Sequence, residues 1–232
     1  IRDRYGPCNR CMRKELGNLQ GFFTKAVRKG AQMTILDLRG FEIHKNHLST
    51  TSQGKLLNAV RAVVKVAPFF RPVTPRGQKM SVRMTSAGKY GWLTDEKGYR
   101  YVDRHPDGSA WPAIPDEALA IWDALTGLEK RPECCLINYY GPEAKMGLHQ
   151  DKDEADFRWP VVSVSLGDEG LFRIGGQKRG GKTESIWLQS GDVVVMGGEA
   201  RLNYHGIDRI RAGSSTLLPK GGRINLTLRV VE

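Results

Sequence analysis

From Pro132 to the C-terminus the sequence keeps a strand-like period and never returns to a helical one, which constrains its fold more tightly than any other feature. Strands are expected near 134–140, 161–166, 170–174, 183–189, 191–196, 201–205, 215–218 and 223–231, with Gly, Pro or charged residues between most of them. Many short antiparallel strands without intervening helices specify a sandwich, a jelly roll or a barrel. Upstream, Ile35-Leu-Asp-Leu reads as a short strand. Leu56, Leu57, Val60, Val63, Val64 and Ala67 recur at helical spacing after a Ser52-Gln-Gly lead-in, and Pro68 closes that helix. A second helix opens after Pro115 with Asp116 as its expected N-cap, and Leu119, Trp122, Leu125 and Leu128 form its buried stripe.

At 232 residues the chain suits one domain with a substantial core. No apolar run is long enough to span a bilayer and the N-terminus lacks a secretory layout, so a cytoplasmic, membrane-free protein is expected, with a monomer as the simplest state. Adjacent Cys134 and Cys135 should point to opposite faces of one strand. Cys8 and Cys11 form a CxxC with no second pair to complete a zinc site. Of the net charge of +11, six charges fall in residues 1–34, where eight Lys/Arg face only Asp3 and Glu15. That segment is read as a basic N-terminal extension, with Met33 a candidate natural start, and residues 35–232 as the domain. Charge alone modestly favours a polyanionic partner.

Chemistry enters with His149-Gln-Asp151. In extended chain, residues two apart project on one side, so both side chains can approach one ion. Such triplets are common. With 5 His and 25 acidic residues in 232, roughly one is expected in every two chains of this composition. His105-Pro-Asp107 is a second one and serves as a control; Pro106 and the Asp107-Gly108 turn signal place it in a solvated loop. A third ligand must come from a distant segment. His205, in Leu202-Asn-Tyr-His-Gly, is the leading candidate. His44 and His47 are rivals whose polar neighbours indicate an exposed segment. Two imidazoles and one carboxylate leave half of an octahedral sphere open, as non-haem Fe(II) oxygenases require.

The segment Arg223-Ile-Asn-Leu-Thr-Leu-Arg229 is the sharper signal. Arg223, Asn225, Thr227 and Arg229 share one face, alternating with apolar residues. Such a face normally lies against solvent. In a jelly roll it would look into the interior, where two arginines need anionic partners such as a dicarboxylate. Asn138 and Tyr140, also two apart, could add hydrogen bonds from a neighbouring strand. Trp92, Tyr99 and Tyr101 provide aromatic faces of the kind that wall a base taken out of its stack, with Trp92 alternatively a core filler. Asp153 reads equally as an orienter of the metal ligands.

The chain resembles the AlkB-type Fe(II)/2-oxoglutarate-dependent dioxygenases, especially their bacterial members. The resemblance is carried by Met80-Ser-Val-Arg-Met-Thr, Gly91-Trp92, Gly98-Tyr-Arg-Tyr101, Leu136-Ile-Asn-Tyr-Tyr and Leu148-His-Gln-Asp-Lys-Asp-Glu154. It continues through Val162-Ser-Val-Ser-Leu-Gly167, Gly191-Asp-Val-Val-Val, Tyr204-His-Gly206 and Arg223 to Arg229. It covers roughly 78–231 and reaches more loosely back to about 35. It implies a mainly β double-stranded β-helix (jelly roll) with flanking helices, its core over 133–231 and a nucleotide-recognition lid within 35–105. It implies Fe(II) on His149, Asp151 and His205, and 2-oxoglutarate held by Asn138, Tyr140, Arg223, Asn225 and Arg229, with Arg223 on the distal carboxylate and Arg229 nearer the metal. Succinate, CO2 and formaldehyde would be released as N-alkylated bases such as 1-methyladenine and 3-methylcytosine are restored. The expected partner is alkylated single-stranded DNA, with duplex DNA or RNA as alternatives. Family correspondence sets Trp92 and His149 on opposite faces of the base and Asp153 at its exocyclic amine. It adds Met80, Tyr99, Tyr101 and Arg179 to the substrate contacts. Two other readings stay open: the same chemistry on RNA or protein, and a nucleic-acid-binding module without catalysis.

Overall fold

The computed structural model describes residues 34–232, and in chain order their elements are as follows. β1 (Thr34–Leu38), β2 (Phe41–Lys45), α1 (Thr50–Val66) and β3 (Arg83–Gly88) come first, then β4 (Gly91–Asp95), β5 (Gly98–Val102) and α2 (Asp116–Thr126). The remainder is β6 (Cys134–Tyr140), β7 (Met146–His149), β8 (Val161–Gly167), β9 (Glu169–Ile174), β10 (Glu184–Leu188), β11 (Val193–Met196), β12 (His205–Arg211) and β13 (Arg223–Arg229). A seven-stranded sheet in the order β1-β2-β11-β8-β13-β6-β3 faces a four-stranded sheet in the order β10-β9-β12-β7, and β4-β5 stands apart as a hairpin. This is the double-stranded β-helix with flanking helices. No helix among the described residues is long and apolar enough to cross a membrane.

β13 decides how the layers stack. Every one of its residues is buried, so its polar face does not meet solvent. Ile224, Leu226 and Leu228 pack with Leu56, Val60 and Trp122 beneath the helices. Its other face looks between the sheets, alongside an apolar cluster built from Phe41, Met84, Phe172 and Ile174. Register puts Asn225 opposite both Asn138 and Ser165, and Arg223 opposite Tyr140, so the polar groups of three strands gather on that inner face. Cys135 lies in the helix-side cluster and Cys134 in the inter-sheet cluster, as alternation requires.

Local signals explain the helix ends. α1 starts at Thr50, ahead of the Ser52 lead-in, because the Ser49 side chain accepts from the Ser52 amide at 3.1 Å. It ends at Val66, before the Ala67-Pro68 step that disfavours helical backbone. Pro115, not Asp116, occupies the N-cap of α2, and no side chain caps it. α2 buries Ala118, Ile121 and Trp122; Leu119 and Leu125 are only partly buried, and Leu128 lies past the helix end. Gly127, at φ 60°, terminates it in the left-handed region where a Cβ is penalised.

Two expected strands are absent. Residues 201–202 form a turn and 203–204 are irregular rather than a strand, because the Arg201 and Asn203 amides bond back to Gly198 O and Ala200 O at 3.2 and 2.9 Å. β12 therefore begins at His205 instead of ending there. Residues 215–218 are also irregular: Asp168 Oδ1 takes the Ser215 amide at 3.0 Å and Ser215 Oγ takes the Leu217 amide at 3.2 Å. The histidines outside the expected site differ as well. His44 is buried in β2 and His47 partly so. His105 is buried edge-on between Phe70 and Trp111, with Nε2 2.8 Å from Pro68 O, although its Asp107-Gly108 turn does form. The readings of the basic segment and of Cys8 and Cys11 lie outside the described residues.

Candidate active site

His149 ends β7, His205 begins β12, and the two face each other across the antiparallel ladder. Asp151 follows two residues after His149. One ligand atom from each lies within 4.8 Å of the others, and this is the one such trio among the described residues. Nε2 of His149 is 3.6 Å from Asp151 Oδ1, and Nε2 of His205 is 3.8 Å from Asp151 Oδ2. Each Nδ1 is bonded to a backbone carbonyl, Gly147 O at 2.9 Å and Asn203 O at 3.1 Å. A carbonyl only accepts, so each Nδ1 carries a proton and Nε2 is the nitrogen left to ligate. His205 is driven down to about 4, chiefly by burial, which keeps it neutral and able to ligate. Side-chain exposure is 39% for His149 against 5% and 8% for Asp151 and His205, so the trio opens on the His149 side. Two imidazoles, one carboxylate and an open side fit Fe(II).

Buried charges hold the carboxylate. Burial alone would raise Asp151, but the Arg229 guanidinium, with Arg201 behind it, outweighs it and keeps the carboxyl well below the usual range. Arg229 Nη2 donates to Asp151 Oδ1 at 2.8 Å, and its Nη1 donates to the Tyr101 hydroxyl at 3.2 Å. Tyr101 in turn is 2.5 Å from Glu154 Oε1. Glu154 Oε2 accepts from Arg201 Nη2 at 3.0 Å, while Arg201 Nη1 binds the main-chain carbonyl of Asp151. Glu154 and Arg201 were not singled out from sequence. Glu154 closes the run that starts at His149, but its partner is 47 residues away and gives no local pattern.

Arg223 lies on the same inner face in a different environment. It is 1% exposed, its Nη2 donates to Ser165 Oγ at 2.9 Å, and its Nε and Nη1 have no partner in the protein. Asn138 Oδ1 is likewise buried and unpartnered. A buried guanidinium in that condition needs an anion. Asn225 is held through its amide to Ser163 Oγ at 2.8 Å. Burial pushes the Tyr140 phenol up to about 12, so it stays protonated and able to donate. These groups and the His-Asp-His trio line one cavity of about 330 Å3. The donors and the unpartnered cation fit a dicarboxylate that reaches from Arg223 toward the trio.

At the same cavity stand Met80, Trp92, Tyr99, Asp153 and Arg179. Trp92 and Tyr99 stack at 5.6 Å and 23°, and Trp92 Nε1 donates to Asp153 Oδ2 at 2.8 Å. The Arg179 guanidinium lies 5.3 Å over the Tyr204 ring. Tyr101 is placed differently from Tyr99. It does not line the cavity and its hydroxyl is committed to Glu154 and Arg229.

Comparison with known proteins agrees with this geometry. The family model described as the 2OG-Fe(II) oxygenase superfamily matches residues 40–229. An alpha-ketoglutarate-dependent dioxygenase AlkB homolog from Caulobacter vibrioides is 50% identical over 205 residues, covering 87% of this chain and 93% of that relative. A DNA N(6)-methyladenine demethylase, ALKBH1C of Arabidopsis thaliana, is 32% identical over 88% of this chain and 51% of its own length. Among solved structures, OsALKBH1 superposes with a TM-score of 0.70 at 30% identity, covering 85% of this chain and 100% of that one.

Proposed function

This chain belongs to the AlkB family of the 2OG-Fe(II) oxygenase superfamily, and on that premise we propose that it removes N-linked methyl groups from DNA bases, such as 1-methyladenine and 3-methylcytosine, preferentially in single strands. It is an Fe(II)/2-oxoglutarate-dependent dioxygenase. The carrying observation is one cavity with a His-Asp-His trio in its wall and a stacked Trp92–Tyr99 pair joined to the Asp153 carboxylate.

In this reading His149, Asp151 and His205 hold Fe(II). Arg223, Asn138, Tyr140 and Asn225 hold 2-oxoglutarate, with Arg223 at the distal carboxylate. When bound, the metal and co-substrate supply oxidising power from O2, giving succinate, CO2 and a hydroxylated N-methyl group that is lost as formaldehyde. Arg229 and Arg201 fix Asp151 from its side-chain and main-chain oxygens. Trp92 and Tyr99 offer a flat wall to an unstacked base. Asp153 places a carboxylate where a cationic methylated base gains and a neutral one does not. Met80 and Arg179 complete the contacts, and Tyr101 acts through Arg229 rather than by touching the base.

Metal-replete protein incubated with 2-oxoglutarate, ascorbate and a 3-methylcytosine oligonucleotide should release formaldehyde and restore the base, while His149→Ala should do neither. Failure of the wild type to repair would overturn the proposal. Parallel N6-methyladenine DNA, matched methylated RNA and methylated peptide distinguish this reading from the same chemistry on another substrate.

A further inference from the structure

We propose that Gly170 sets the depth of the co-substrate slot and thereby selects a five-carbon 2-oxo diacid over shorter ones. Gly170 lies in β9, central in the small sheet between Leu188 and Ile210. Across the gap between the sheets it faces Arg223. A Cβ on Gly170 would stand 2.9 Å from Arg223 Nε and 3.0 Å from its Cδ, with Ile207 Cδ1 at 3.4 Å. Gly170 does not have a positive φ. The glycine is therefore needed for space, and the side chain that occupies that space is the arginine.

Arg223 cannot yield freely in other directions. Ser165 Oγ tethers Nη2 at 2.9 Å, and the Tyr140 ring lies 5.3 Å from the guanidinium carbon. A methyl group at position 170 must push the guanidinium off its seat and into the cavity. The distance from guanidinium to metal trio then shortens, and a diacid one carbon shorter gains relative to 2-oxoglutarate. Gly170 itself is a specificity-determining residue that acts only through Arg223.

The inference rests on Arg223 being the anchor for the distal carboxylate, so the test separates the two. Binding of 2-oxoglutarate, oxaloacetate and 2-oxoadipate is measured by calorimetry on Mn(II)-loaded protein without DNA. Gly170→Ala should weaken 2-oxoglutarate about 10-fold, the scale of a modest overpacking penalty, and weaken oxaloacetate clearly less. Mn(II) affinity should not change. An equal loss for all three diacids, or none, overturns the role of Gly170. Unchanged 2-oxoglutarate affinity in Arg223→Met overturns the anchor itself. Should Gly170→Ala not fold, Ile207→Val gives the opposite test. Removing the Cδ1 methyl from the same wall lets the guanidinium retreat, so 2-oxoadipate should gain on 2-oxoglutarate; no gain overturns the proposal.

Discussion

Arg229 and Asp151 form a buried ion pair, Nη2 to Oδ1 at 2.8 Å, in which the arginine occupies one oxygen of a carboxylate that also faces both imidazoles. The pair orients Asp151 and leaves its other oxygen toward His205. Partners of this kind tune a ligand without touching the ion. Arg229→Gln should raise the Kd for Mn(II) about 10- to 100-fold, measured by calorimetry, while circular dichroism stays native. An unchanged Kd would show that the trio holds itself in place.

Trp92 has two separable parts, a ring that stacks on Tyr99 and an N–H that binds Asp153. Trp92→Phe keeps an aromatic face and removes the hydrogen bond. The oligonucleotide KM should rise about 2- to 10-fold, the usual worth of one such bond, with kcat nearly unchanged. Steady-state kinetics on a 3-methylcytosine substrate reads the split, and an equal fall in kcat would place Trp92 in the chemical step.

Arg201 and Glu154 are paired at 3.0 Å with side chains almost wholly buried. Breaking such a pair from one side leaves a stranded charge. Arg201→Met should therefore cost about 3–5 kcal/mol in urea unfolding. The double variant Arg201→Met, Glu154→Met should recover most of that stability. It should not recover metal affinity, because the Asp151 carbonyl has lost its donor. Recovery of both would reduce the pair to a packing element.

Trp122 lies on the helix side of the large sheet, fully buried, with Nε1 bonded to Lys130 O at 3.1 Å. Trp122→Ala should destabilise the fold by about 3–5 kcal/mol. The folded fraction should keep its 2-oxoglutarate affinity, since no cavity residue rests on that indole. Denaturant midpoints and calorimetry check the two halves separately.

The alternation in Arg223 to Arg229 was legible because a strand has a period of two, and the pairing of His149 with Asp151 for the same reason. Which way the polar face pointed was not fixed by that pattern. Solvent and interior look alike until both flanking layers are known, and Leu56, Val60 and Trp122 come from distant segments. His105 shows the opposite error. Its turn was read from Asp107-Gly108, but its burial depends on Phe70 and Trp111, which no local pattern reveals. His44 reads as exposed because Lys45 and Asn46 look polar, yet the Lys45 ammonium and the Asn46 main-chain amide both bind Asp192. Arg201 stayed hidden since its neighbours Leu202 to Tyr204 resemble a strand, while backbone bonds to Gly198 and Ala200 turn the chain at 201–202. Gly170 could not be found at all, because its meaning lies in the missing atom opposite Arg223.

Each imidazole takes its tautomer from a carbonyl two residues earlier in its own chain, Gly147 for His149 and Asn203 for His205. Ring orientation and tautomer are thus set within one tripeptide each. Metal capture then waits for no ring flip. The carboxylate comes two residues after His149 and is steadied by Arg229, so His205 is the ligand that has to be brought in from afar.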